Sequence, residues 1–286
     1  MPEILADATH MDTLTLHVED LAGMESYYTS ALALTPIEQG GGSVLLGRRG
    51  TGVIRLVHTP GLPRPARNQA GLFHTAMLLP DEATLAATVL AAAKDPRSRF
   101  AGSSDHHVSE AFYFTDPEGN GIELYRDRPR SGWTDADGTI VMTTVHLDPQ
   151  AYLDAHLRED VVADLADRGG AVGHVHLQVG DLATARTFYA DHLGFTPTVS
   201  DYPGALFVSA GGYHHHIGMN VWNSAGAPAR AATLGLGEVT VTVPSRDDVE
   251  AAAARLRHHG HAVADDGRAI TVADPWGSVV RLAPAA

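Results

Sequence analysis

The sequence predicts an α+β protein built from four copies of one β-α-β-β-β module, and three observations predict it. The segment LTLHVEDLAGMESYYTSALAL (14–34) returns as VHLQVGDLATARTFYADHLGF (175–195), with Asp20-Leu21 against Asp181-Leu182 and Tyr27-Tyr28 against Phe188-Tyr189. The segment GLFHTAMLLPDEATLAATVLAAA (71–93) returns as LGLGEVTVTVPSRDDVEAAAARL (234–256). Each of these leads to an Asp-Pro-x-Gly turn and a closing strand, TDPEGNGIELY (115–125) and ADPWGSVVRLA (273–283).

The modules cover about 11–60, 70–128, 171–223 and 232–284. In the first, alternating MDTLTLHV reads as a strand, and Asp20 reads as the cap of a helix carrying the aromatic pair. The second opens with GLFHTAML, passes Pro80 into an Ala-rich helix, and closes through the hairpin turn at Asp116-Pro117. The third repeats the first with Asp181 as helix cap, and the fourth repeats the second. Between the pairs, 129–170 is too long for a bare turn, and a short helix is expected around 157–168. The expected division is therefore 1–130, a connecting segment 131–170, and 171–286.

Composition excludes several classes. Asp plus Glu number 34 against 20 for Lys plus Arg, a net charge of −14 that repels phosphate backbones and anionic lipid. Nucleic acid and membrane are not expected partners. There is no cysteine, so disulfides, thiol catalysis and cysteine-held clusters are excluded. No membrane-spanning run and no signal pattern is apparent, so a cytoplasmic protein is expected. Histidine is abundant at 17 copies, and a transition-metal site here must use His and carboxylates.

The repeated modules, with His74 in GLFHTAML, Glu123 in NGIELY and His174 in VGHVHLQV, resemble the vicinal oxygen chelate superfamily of glyoxalases, bleomycin-resistance proteins and extradiol dioxygenases. The resemblance implies modules pairing into two curved mixed sheets, with metal ligands on the first and last strands of a module. By that match His74, Glu123 and His174 are the ligands. Module one has Thr13 at the His place, and module four has Glu238 and Arg281 at the His and Glu places. His174 and His176 share a strand face, so only the family spacing prefers His174 over its neighbour.

SDHHVSEAFYFTDPEGNGIELY (104–125) resembles the extradiol pattern, in which Tyr113 is the active-site tyrosine and Asp105 with His106 or His107 belongs to the pocket. YHHHIGMNVW (213–222) resembles the extradiol His-His segment and makes His215 the acid–base residue. Read as a strand, it puts Tyr213, expected in the substrate pocket, with His215 and Ile217 on one face and His214 and His216 on the other; a surface run of histidines is the bland alternative. The resemblance implies an extradiol ring-cleaving dioxygenase that uses Fe(II), with Mn(II) as the alternative, on a catechol-like aromatic and O2. A homo-oligomer is left open. The rivals are a glyoxalase-type metal-dependent lyase or isomerase, which wants a fourth ligand where module three offers Ile217 or Met219, and a non-catalytic binding protein for an aromatic drug or metabolite.

Overall fold

The computed structural model describes residues 4–199 and 201–285. Module one runs β1 (His10–Val18), α1 (Leu21–Leu32), β2 (Thr35–Gly40), β3 (Ser43–Arg48) and β4 (Thr51–His58). Module two runs β5 (Gly71–Leu78), α2 (Glu82–Lys94), β6 (Arg99–Asp105), β7 (Ser109–Thr115) and β8 (Gly121–Asp127). The join holds β9 (Val145–His146), α3 (Pro149–His156) and α4 (Glu159–Ala163). Module three runs β10 (Ala171–Gln178), α5 (Leu182–Arg186) continued by a π-helical turn Thr187–His192, then β11 (Thr196–Val199), β12 (Ala205–Ser209) and β13 (Ile217–Asn220). Module four runs β14 (Gly235–Val243), α6 (Arg246–His258), β15 (Val263–Asp265), β16 (Ile270–Ala273) and β17 (Val279–Pro284). The fold class is α+β, with the four modules that the repeats predict and the two mixed sheets that the resemblance implies.

The eight-stranded sheet has the order β15-β16-β17-β14-β1-β4-β3-β2, and the nine-stranded sheet the order β11-β12-β13-β10-β5-β8-β7-β6-β9. Within a module the first strand pairs in parallel with the last, as β5 does with β8 and β10 with β13. Antiparallel hairpins then lead outward to the edge. The chain forms two compact units, Met1–Thr15 with Pro63–Phe73 and Gly173–Ala286, and Leu16–Leu62 with His74–Val172. Among the described residues no helix is long and apolar enough to cross a membrane.

Local chemistry sets the element boundaries. The side chains of Asp20, Asp81 and Asp181 accept from the backbone N–H of Gly23, Thr84 and Thr184 at 2.9, 2.7 and 2.7 Å, capping α1, α2 and α5. The join departs from expectation. Its longest helix is α3, begun by Asp148 as cap with Pro149 in the first turn, and the chain is extended at Leu157 and Arg158 before α4. The short helix expected around 157–168 is α4, followed by a single 3-10 turn at Leu165–Asp167, and α3 is the element not expected.

The aromatic pair acquires a purpose that periodicity does not reveal. Asp116 in the module-two turn accepts from the N–H of Glu118 and Asn120 at 2.9 and 2.8 Å, from the Asn120 amide at 2.8 Å, and from the Tyr28 hydroxyl at 2.9 Å. Burial raises the Asp116 carboxyl above its ordinary range, and these donors oppose that shift. The module-four turn repeats the device: Asp274 accepts from Trp276 N, Ser278 N and the Tyr189 hydroxyl at 2.9, 2.7 and 3.0 Å. So the second aromatic of the helix in modules one and three holds the turn aspartate of modules two and four.

Tyr28→Phe and Tyr189→Phe each leave a buried carboxylate one donor short. Each substitution is expected to cost about 1–3 kcal/mol, read as a lower urea midpoint. An unchanged midpoint would show that the hydroxyls do not secure the turns.

Candidate metal centre

His74 lies on β5 and Glu123 on β8, and their meeting follows from strand register. In the parallel ladder Ala76 stands opposite Glu123, and alternation puts His74 and Ala76 on one face. The small Ala76 side chain leaves room for the carboxylate to reach along the strand. His74 Nε2 lies 2.8 Å from Glu123 Oε2, with the side chains 8% and 3% exposed. Tyr113 stands opposite Glu123 across the β7–β8 ladder, and its ring centroid lies 5.5 Å from that of His74.

Tyr113 is held in turn by His106, whose Nε2 is 2.8 Å from the phenol oxygen and whose Nδ1 is 2.6 Å from the Thr143 carbonyl. A carbonyl only accepts, so Nδ1 carries the proton and donates to Thr143. The neighbours of His106 turn elsewhere. His107 is exposed at φ 69°, and Asp105 accepts from Arg128 Nη2 at 2.6 Å and from the His107 N–H at 2.8 Å. Of the pocket residues expected here, His106 meets Tyr113, whereas Asp105 ends β6 in the Arg128 ion pair and His107 lies in the turn between β6 and β7.

His174 lies on β10, with its ring centroid 4.1 Å from that of His215. His215 Nδ1 pairs with His214 Nδ1 at 2.8 Å. The strand reading of the His run is corrected: β13 begins only at Ile217, so 213–216 do not alternate between two faces. Tyr213 sides instead with His214 and His216, at centroid distances of 4.1 and 4.9 Å. All three histidines are buried, which removes the surface-run alternative. His216 Nδ1 accepts from the Ala210 N–H at 3.2 Å.

His176 occupies the place where a second module-three ligand would stand. The β10–β13 register sets His176 opposite Gly218, as Ala76 is opposite Glu123. A Cβ on Gly218 would come within 3.0 Å of the His176 ring, so the fourth-ligand position is Gly218 rather than Ile217 or Met219, and imidazole fills its space. In module four the equivalent register pairs Thr240 with Arg281, and Arg281 turns to Asp266 at 2.8 Å. Thr13 of module one donates to Asp12 at 3.0 Å.

His74, Glu123 and His174, all buried, each offer a ligand atom, and these atoms lie within 4.8 Å of one another. Two imidazoles and a carboxylate fit a divalent first-row metal with coordination positions left open, and Fe(II) and Mn(II) both suit this donor set. Glu123 at 3% exposure also wants the compensating charge that a cation provides.

Known proteins agree with the fold. The profile of the Glyoxalase/Bleomycin resistance protein/Dioxygenase superfamily matches residues 10–124 and 171–282. A catechol-2,3-dioxygenase of Bacillus subtilis (strain 168) is 37% identical over 274 residues, 93% of this chain and 94% of that protein. Among solved structures, glyoxalase I from Zea mays shares the fold at TM-score 0.60 and 15% identity, over 97% of this chain and 92% of that one. The cppA protein of Streptococcus pneumoniae TIGR4 does so at TM-score 0.59 and 10% identity, over 97% and 99%.

Glu123→Gln keeps side-chain shape while removing the charge. Loss of a ligand is expected to cost more than the ~10–100-fold in metal affinity typical of outer-shell changes. Metal per chain after dialysis, with circular dichroism as the fold control, is the measurement; a variant that retains metal like the parent excludes Glu123 as a ligand.

Proposed function

The chain belongs to the Glyoxalase/Bleomycin resistance protein/Dioxygenase superfamily, and from that membership we propose that it is a metal-dependent extradiol dioxygenase acting on a catechol-like aromatic and O2. The observation that carries this reading is the His74–Glu123–His174 donor set with the Tyr113–His106 pair beside Glu123. Similarity to a catechol-2,3-dioxygenase across nearly the whole chain supports it. Fe(II) is the preferred metal and Mn(II) the alternative.

A divalent metal held by His74, Glu123 and His174 would supply Lewis acidity and a route for electrons from the bound diol to O2. The remaining work falls to the side chains. With His106 neutral, its Nε2 accepts from the Tyr113 hydroxyl, so the phenol oxygen keeps its lone pairs for a substrate hydroxyl. A proton passed through Tyr113 to His106 Nε2 reverses the bond and frees the phenol O–H to donate to negative charge on the substrate oxygen. His215 takes the other substrate proton and returns it to the opening ring; its pairing with His214 fixes which ring nitrogen is available. In the net reaction the ring C–C bond beside the diol breaks and both atoms of O2 enter the product.

The test is anaerobic loading with Fe(II) or Mn(II), then oxygen uptake and the yellow ring-opened product across a panel of catechols. Conversion of a methylglyoxal–thiol adduct, without oxygen uptake on any catechol, would overturn the dioxygenase in favour of glyoxalase chemistry. A protein that takes up neither metal would overturn both.

His215→Asn is expected to lower turnover by ~10²–10⁴-fold with metal content unchanged. Tyr113→Phe and His106→Asn, which break opposite ends of one hydrogen bond, are expected to lower turnover by less, and the double variant by no more than the worse single one. Fully multiplicative losses would show that the two residues act separately.

A further inference from the structure

Trp222 combines two properties that rarely go together. It is the one tryptophan of three with an exposed ring, 47% against 2% for Trp133 and 5% for Trp276, yet it is firmly placed. Its Nε1–H donates to the Pro203 carbonyl at 3.0 Å, and Gly204, at φ 71°, leaves the space in which the indole lies; a Cβ there would approach the ring to 2.9 Å. An apolar ring pinned half in water is a surface prepared for a ligand rather than a packing residue.

The rings behind it lead to the metal ligand. Trp222 lies 5.5 Å from Phe73, 5.7 Å from His176 and 6.5 Å from Tyr202, by ring centroids. Phe73 and Phe207 stand 5.2 and 5.7 Å from His176, and Tyr202 stands 5.9 Å from Phe207. Phe207, 5% exposed, then reaches His215 at 4.8 Å, and His215 reaches His174 at 4.1 Å. A continuous path of rings therefore runs from a wet indole to a buried imidazole ligand.

We propose that Phe73, Tyr202, Phe207 and Trp222 form a specificity wall that favours uncharged catechols with apolar substituents over catechols bearing a carboxylate; the proposal rests on the dioxygenase reading. None of the four side chains carries a formal charge, and the faces of their rings are electronegative. A carboxylate laid against these four rings gives up water and meets their faces in return. The chain's net charge of −14 opposes the approach of an anionic substrate as well.

The experiment compares 4-methylcatechol with 3,4-dihydroxybenzoate on the metal-loaded protein. Tryptophan emission is titrated anaerobically with each, and kcat/KM is then measured under oxygen. The expected result is a preference for 4-methylcatechol of about tenfold or more, a range that pocket discrimination commonly spans. Trp222→Ala is expected to remove most of that preference by raising KM for 4-methylcatechol, to abolish the emission change, and to leave metal content unaltered. Trp222→Phe, which keeps an aromatic face, restores the preference but not the emission signal. Equal or better use of 3,4-dihydroxybenzoate, or an unaltered preference in Trp222→Ala, overturns the wall. If no catechol consumes oxygen, the dioxygenase reading fails, and the emission titration still decides the wall: tighter quenching by 4-methylcatechol supports it, and equal quenching overturns it.

Discussion

The parallel register of β5 with β8 is the constraint on which the site depends. Because Ala76 stands opposite Glu123, the carboxylate shares a face with His74, and because Tyr113 stands opposite Glu123, the phenol shares it too. A slip of one residue would turn Glu123 to the other face and bring forward Ile122 or Leu124. The start of β8 is fixed by the turn before it, where four donors converge on the Asp116 carboxylate. An aspartate with no part in the chemistry thus sets which residue of the last strand faces His74.

The same register recurs in every module for which it can be compared, and only the occupants change. Module two places Ala76 opposite Glu123, module three His176 opposite Gly218, and module four Thr240 opposite Arg281. In module three the loss of the carboxylate and the growth of the partner from alanine to histidine compensate each other in volume, since the His176 ring lies where a Gly218 side chain would begin. In module four the cation at the carboxylate place is satisfied by Asp266 on the neighbouring turn. The repeat supplies geometry several times over, and side-chain substitution decides where that geometry can hold a metal.

Much of this was legible in the sequence because repetition exposes it. The repeat offset, the capping aspartates and the Asp-Pro-x-Gly turns are local signals, and they map directly onto helix starts and strand ends. His74, Glu123 and His174 were legible through the family resemblance, since strand position alone left His176 a rival of His174. The aspartate–tyrosine latch was not, because Tyr28 and Asp116 lie 88 residues apart and each has a sufficient local explanation. Helix α3 was not legible although Asp148-Pro149 is a good start signal, because its eight residues carry little apolar patterning and bury only Tyr152. The His run was misread for a further reason: alternation assumes a strand, whereas backbone pairing there begins only after His216.

The site divides its residues between strands and a connection. The three metal-ligand candidates sit on strands, where ladder hydrogen bonds fix the backbone. His215 sits on a connection, and loops ordinarily gain freedom at the expense of precision. Here the connection is tied at several points: Thr198 Oγ1 donates to the His214 carbonyl at 2.6 Å, His216 N–H donates to Val208 O at 2.9 Å, and Val175 N–H donates to His216 O at 3.1 Å. His214 and His216 therefore do the work of a ladder for the residue between them. The run therefore holds the His215 imidazole in register through its two neighbours, and it lies against β10, the strand that carries His174.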